Sequence, residues 1–381
     1  MKKNRVVAVL AVMLLMGNAG SASANHAAMF LRQEPTARMM SMGSTFAGVG
    51  EDSGAAYFNP AALGFMSQHR LASSTWEGVD SQSRYYFASG IVNGGWSGVF
   101  HANYLDFNSG KETISGFDGS ERNVTLQDDQ AIGAGWGHSL GDYLSLGGQV
   151  KWVQSKLAES FSANTATFDL GVMAKSKEGM LSMGLGVRNA TGGLKYAVEE
   201  NSLPRAIYGG GAARFKMGQF GRFLAGMDLE ESEKKDSPDV HAGMEYGIGM
   251  FALRGGIKRV SEETSFTTGG GVAFKGLSFD YGFEPAGNLG QPIHKMTLNM
   301  TFGGPAGRED RHAAASHGLS GEVPVALLPK AAPVEVVTLS LGPAEPAAAA
   351  PAQAETPKPL EQAQDVAAGE TATSEVGPVS Q

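Results

Sequence analysis

The chain has 381 residues and a formal net charge of -8, with 53 glycines, no cysteine and 18% charged side chains. Glycine at about twice its usual share weighs against a helical protein, since each interior Gly costs roughly 0.8–1 kcal/mol relative to Ala. Without cysteine there is no disulfide, thiolate nucleophile or Cys-ligated metal centre, and the acidic balance offers no basic surface for nucleic acid.

Residues 1–24 read as a signal peptide. Lys2, Lys3 and Arg5 precede an uncharged apolar run from Val6 to Met16, and Ala22-Ser23-Ala24 supplies the small residues of a cleavage site. At about 1.5 Å per residue that run falls short of a hydrocarbon core of roughly 30 Å, so it is not read as an anchor. Position 25 is Asn, so the exported chain lacks the cysteine of a lipoprotein.

Residues 25–68 are rich in small side chains and show no sustained period of two. They are expected to form a hatch inside a barrel, with Glu34, Arg38, Glu51 and Asp52 pairing with lumenal Arg188, Arg254 or Lys151. Within this segment Arg38, Gly43, Asp52, Asn59 and Pro60 are the residues singled out. Asn59 supplies a turn-capping side chain and Pro60 fixes φ, which suits either a structural corner or a latch beside a lateral opening.

From residue 69 to 304 the chain is a series of short alternating runs. Leu144, Leu146, Val150 and Trp152 alternate with Ser145, Gly147, Gln149 and Lys151. Leu181, Met183, Leu185 and Val187 oppose Ser182, Gly184, Gly186 and Arg188, and Leu277, Phe279, Tyr281 and Phe283 oppose Ser278, Asp280, Gly282 and Glu284. Period two places one set on each face of a strand. Fourteen such runs fall at 70–78, 83–92, 95–105, 125–138, 142–156, 163–175, 179–189, 203–216, 221–231, 238–248, 250–260, 264–275, 276–284 and 293–303. A soluble sandwich would bury the apolar set, whereas a membrane barrel turns it to lipid. The even count, the charged and Gly-rich polar faces and the aromatics near run ends predict an all-β transmembrane barrel of about fourteen strands. Gln149, on the polar face, is expected to tolerate Arg better than Leu146 or Leu185.

Residues 305–381 hold ten of the sixteen prolines, eighteen alanines and no aromatic residue. Such a composition cannot offset the roughly 1–2 kcal/mol per residue of backbone ordering, so a disordered periplasmic tail is expected.

No catalytic or metal-binding pattern accompanies these strands. His241 and Glu245 lie four apart on a strand, about 13 Å, which is too far for a shared metal. Gly269-Gly270-Gly271 lacks the spacing of a phosphate loop and is read as a place of tight curvature or of close packing against the hatch. Lys151, Arg188, His241, Glu245, Arg254 and Asp280 are expected to line the lumen as members of a hydrogen-bond and ion-pair lattice. Neither enzymatic activity nor a cofactor is expected.

Four motifs then carry a family resemblance. The first runs from Ala37-Arg38-Met39-Met40 through Gly43 and Glu51-Asp52 to Asn59-Pro60-Ala61-Ala62-Leu63. The second is Leu203-Pro204-Arg205. The third joins His241-Ala242-Gly243-Met244-Glu245-Tyr246 to Phe251-Ala252-Leu253-Arg254-Gly255-Gly256. The fourth runs from Leu277-Ser278-Phe279-Asp280-Tyr281-Gly282-Phe283 through Leu289-Gly290 and His294 to Phe302-Gly303. In order and spacing they resemble the PorV/PorQ-like outer-membrane barrels, related to the FadL-type transporters. The resemblance implies an outer-membrane address with both barrel ends periplasmic. Met296, Leu298, Met300 and Phe302 would be the strand signal read by barrel-assembly machinery. The first role it implies is an anchor or accessory for exported or envelope proteins, with the tail as a further contact. The alternatives are a FadL-like channel for hydrophobic small molecules and a structural barrel presenting its tail.

Overall fold

A computed structural model describes residues 27–303, apart from 51, 78–81, 116–119, 197, 199, 233–236, 261–262 and 286–291. The expected signal peptide and tail, with Glu51, Leu289 and Gly290, lie outside the described residues.

The strands are β1 (His69–Glu77), β2 (Arg84–Asn93), β3 (Val99–Asn108), β4 (Lys111–Ser115), β5 (Glu121–Thr125), β6 (Gln127–Leu140), β7 (Leu144–Leu157), β8 (Phe161–Lys175) and β9 (Leu181–Arg188). They continue with β10 (Gly193–Lys195), β11 (Glu200–Ser202), β12 (Ala206–Lys216), β13 (Arg222–Ser232), β14 (Asp239–Ile248), β15 (Phe251–Val260), β16 (Glu263–Phe274), β17 (Leu277–Glu284) and β18 (Ile293–Phe302). Fourteen of them form a closed antiparallel barrel in which each strand pairs with its barrel neighbour in sequence, and β1 seals against β18 from His69↔Phe302 to Trp76↔Lys295. Closure leaves no unpaired sheet edge, the condition for backbone to cross hydrocarbon.

The alternation inverts the usual distribution of polarity. Outward-facing Met183 and Leu253 are 68% and 67% exposed, whereas inward Lys151 and Asp169 are 1% and 0% exposed. Apolar side chains directed at the surroundings, with charges enclosed, require lipid as the outer solvent. Exposed Phe215, Phe251, Phe274 and Phe302 mark one rim of this outer face, where an aromatic girdle belongs.

Connections are short at the rim where β1 begins and β18 ends, as at residues 141–143, 249–250 and 275–276. At the opposite rim, residues 109–126 carry the β4–β5 hairpin and residues 189–205 the β10–β11 hairpin. Short turns face the periplasm and longer loops the exterior.

Both hairpins escape the period-two reading for physical reasons. The β4 residues are all exposed, so no buried face imprints alternation, and β10 and β11 have three residues each. Leu203-Pro204-Arg205 precedes β12 rather than opening it. Leu203 is buried in the lumen instead.

Candidate functional site

The lumen is filled by residues 27–66. Ala27 N donates to the Ser202 carbonyl in the exterior loop (3.1 Å), and at the periplasmic rim Asn93 Nδ2 donates to the Met66 carbonyl (2.8 Å). The segment thus traverses the barrel from outside to inside. Its first turn, Met29–Arg32, is 3-10 helical. Thr36 caps the short helix α1 (Ala37–Ser41), its side chain accepting from Met39 N. Asp52 caps α2 (Ser53–Phe58) by accepting from Gly54 N (2.5 Å) and Ala55 N (3.1 Å). Such caps satisfy backbone donors that a helix start leaves open.

Wall side chains bind this backbone at points spread from β7 to β18. Ala37 N donates to Thr297 Oγ1 (2.8 Å), Gly43 N to Thr267 Oγ1 (3.0 Å), and Phe46 N and Ala47 N to one Asp228 oxygen (2.6 and 2.8 Å). Ser145 Oγ donates to the Ala61 carbonyl (2.7 Å). Asn59 forms the corner before Pro60–Phe65: its Oδ1 accepts from Ala61 N (3.1 Å) and its Nδ2 donates to the Ala47 carbonyl (2.9 Å).

Glycine lets the segment come this close. A Cβ on wall residue Gly243 or Gly256 would lie 2.1 Å from Met42 or Gly43 backbone, and one on Gly184 would lie 1.9 Å from the Ala47 carbonyl. Gly43 itself has φ +63°, a conformation that disfavours other residues. Gly269 meets Ser41 in the same way, a Cβ there lying 2.1 Å from Ser41 Oγ.

Five of the residues expected from the sequence converge on one network. Arg38 grips Glu245 with two bonds, Nε to Oε2 (2.8 Å) and Nη2 to Oε1 (3.1 Å), and approaches Asp52 at 3.6 Å. Arg254 donates to Glu245 (2.6 Å) and Asp280 (2.7 Å). Lys151 and Arg188 lie apart from it. Lys151 pairs with Asp169 (2.8 Å) and donates to Asn189 Oδ1 (2.6 Å), and Arg188 pairs with Glu230. His241 joins the Gly43 carbonyl through Nδ1 (2.9 Å). Met296, Leu298, Met300 and Phe302 face outward on β18.

The expected partners of the segment's charges are corrected. Glu34 pairs with Lys258 (2.9 Å), and Asp52 with Arg38, rather than either with Arg188, Arg254 or Lys151. The segment crosses beside β14–β18 first, whereas Lys151 is already compensated from the neighbouring strand. Ser44 Oγ also donates to the Glu34 carboxylate, and Lys295 donates to the Glu34 main-chain carbonyl. Arg32 bonds Glu230 (3.0 Å) and Asp239 (2.7 Å) near the exterior rim. Asp169, Asp228, Glu230, Lys258 and Lys295 were not singled out by sequence, although each occupies the inward phase of its strand.

Toward the exterior the β1–β3 and β7 side of the lumen is apolar. Inward Trp76, Tyr85, Phe87, Leu105, Phe107 and Val153 surround Phe30, Leu31, Phe46, Tyr57 and Phe58 of the segment in one buried cluster. Tyr57 meets Phe87 edge-on (centroids 5.9 Å), and Trp76 stacks on Tyr85 (6.2 Å). Cavities of about 40 and 20 Å³ remain beside Glu34 and Lys258, sized for a few waters at most.

Closure, the outward apolar face and the enclosed charges together decide the fold's setting. The chain is an outer-membrane β-barrel. No family model matches it, and no curated protein does. Among solved structures it is similar to the Ralstonia pickettii toluene transporter TbuX, with 14% identity, a TM-score of 0.49, and 70% of this chain and 98% of that one covered. It is similar to the Pseudomonas putida toluene transporter TodX at 12% identity and TM-score 0.45, over 69% and 95% of the two chains. A Pseudomonas aeruginosa FadL homologue shares 10% identity at TM-score 0.44, over 70% and 98%.

Proposed function

We propose that this barrel is a channel for uptake of hydrophobic solutes, with residues 27–66 as its hatch and Ala27–Leu31 occupying the solute's place near the exterior mouth. The observation that carries this reading is the inward-facing cluster of Trp76, Tyr85, Phe87, Leu105, Phe107 and Val153. A barrel that conducts water-soluble solutes lines its interior with polar groups. An aromatic lining beneath the exterior loops instead favours an apolar solute that leaves water there.

The chemistry of the lumen favours this role over the anchoring role expected first. Kinship with the PorV/PorQ-like barrels is a proposal resting on motif order. Removal of residues 1–24 on export and a periplasmic role for residues 305–381 rest on composition.

The test is entry of the hydrophobic dye 1-N-phenylnaphthylamine into intact cells carrying the chain in their outer membrane. Entry should be faster than in cells lacking it, and faster again with Leu31→Ala, with no matching rise for a polar dye. Equal entry in all three strains, or equal gains for both dyes, would overturn the reading.

A further inference from the structure

Resting on the channel reading above, we propose that the lumenal aromatic site selects neutral aromatic solutes carrying a hydrogen-bonding oxygen, over plain hydrocarbons and over carboxylates. Tyr57 and Tyr85 are fully buried, at 0% exposure, and their hydroxyls have no hydrogen-bond partner among the described residues. Buried hydroxyls are ordinarily paired, because leaving one unpaired costs its desolvation.

The two hydroxyl-bearing rings belong to one site. Tyr57 packs edge-on against Phe87, and Tyr85 lies two residues away on the same inward face of β2, about 7 Å along the strand. Both share the buried cluster with Phe30 and Leu31. Those hydrocarbon side chains satisfy neither hydroxyl. A solute that takes their place with an oxygen does so, and the surrounding rings favour a flat aromatic body.

Charge excludes the anionic version of the same solute. Lys151 is matched by Asp169, Arg188 by Glu230, and Lys258 by Glu34 and Glu284. Lys295, 4.6 Å above the Tyr85 ring, donates to the Glu34 carbonyl. Lys151 stands over the Tyr57 ring at 5.0 Å. With Arg32 on Glu230 and Asp239, five cations thus face five carboxylates. A further buried carboxylate would enter without a counter-charge, at a desolvation cost that nothing repays.

The test is titration calorimetry of the full chain in detergent micelles, corrected by empty-micelle blanks, with three ligands of one shape: p-cresol, toluene and 4-methylbenzoate. Native protein and Phe30→Ala, which opens space in the cluster, are measured beside the double variant Tyr57→Phe/Tyr85→Phe. Retained heat-modifiable migration shows that each variant is folded. In the native protein or in Phe30→Ala, p-cresol should bind about 5- to 10-fold tighter than toluene, the worth of one neutral hydrogen bond, and tighter than 4-methylbenzoate. The double variant should keep toluene affinity and lose most of that preference. Toluene or 4-methylbenzoate binding as tightly as p-cresol, or a preference undiminished in the double variant, overturns the selectivity while leaving the channel intact. Binding of none of the three, with Phe30→Ala included, overturns both.

Discussion

Single side chains on this barrel are judged by two different solvents. Leu185 faces lipid, 41% exposed, and an Arg at the bilayer midplane on such a face costs roughly 2–4 kcal/mol. Gln149 faces inward but is not in water. It is 2% exposed, accepts from Asn103 Nδ2 (2.8 Å), and donates to Asp169 (3.1 Å) and to the Tyr57 carbonyl (3.4 Å). The packed lumen therefore adds a packing cost to Gln149→Arg beside its expected advantage over Leu185→Arg in insertion. Leu185→Arg should lower the yield of inserted barrel. Gln149→Arg should instead insert and then melt earlier, by overpacking of about 1–3 kcal/mol. The two are separated by outer-membrane yield and by the temperature at which the folded band is lost on unboiled gels. Equal behaviour in both measurements would contradict the separation of faces.

At the scale of elements, the lumenal segment is held by close contact as much as by charge. The α1 turn runs into Met42 and Gly43, whose backbone lies against Gly243 on β14 and Gly256 on β15. The wall keeps its own ladder there, Gly243↔Gly256 in register, so it does not need the segment in order to pair. Gly256→Leu should push the segment off the wall while leaving strand pairing intact. Deleting residues 28–66 should do the same more completely. Both should assemble and conduct ions in a planar bilayer, the deletion more than the substitution, whereas the native chain stays nearly silent. A native chain as conductive as the deletion would show that this segment does not seal the pore.

The whole molecule has a sidedness that the segment's path makes testable. Its two barrel ends, His69 and Phe302, pair at the short-turn rim, yet Ala27 bonds to the loop at the other rim. The absence of native cysteine makes introduced thiols unambiguous reporters. Met29→Cys, at a position 47% exposed, and Thr113→Cys on the β4–β5 hairpin should react with a membrane-impermeant maleimide on intact cells. Gln219→Cys, in the short turn before β13, should react only after the outer membrane is opened. Labelling of Gln219→Cys on intact cells would invert the assigned orientation.

Sequence alone determined the strands, because lipid outside and enclosed polar groups inside impose period two on each one. The fourteen runs match the barrel strands closely, from 70–78 against His69–Glu77 to 293–303 against Ile293–Phe302. The residues facing the lumen were legible for the same reason, as the burial of Lys151, Arg188, His241, Arg254 and Asp280 shows. Their partners were not. Arg38 and Glu245 are 207 residues apart, and no local pattern encodes a contact made only once the barrel has closed around the segment. Nor does alternation tell whether an inward residue meets water, charge or an aromatic ring. Tertiary structure alone decided that the exterior half of the lumen holds a filled apolar cluster beside its ion pairs, because that follows from which strands the segment crosses and at what height.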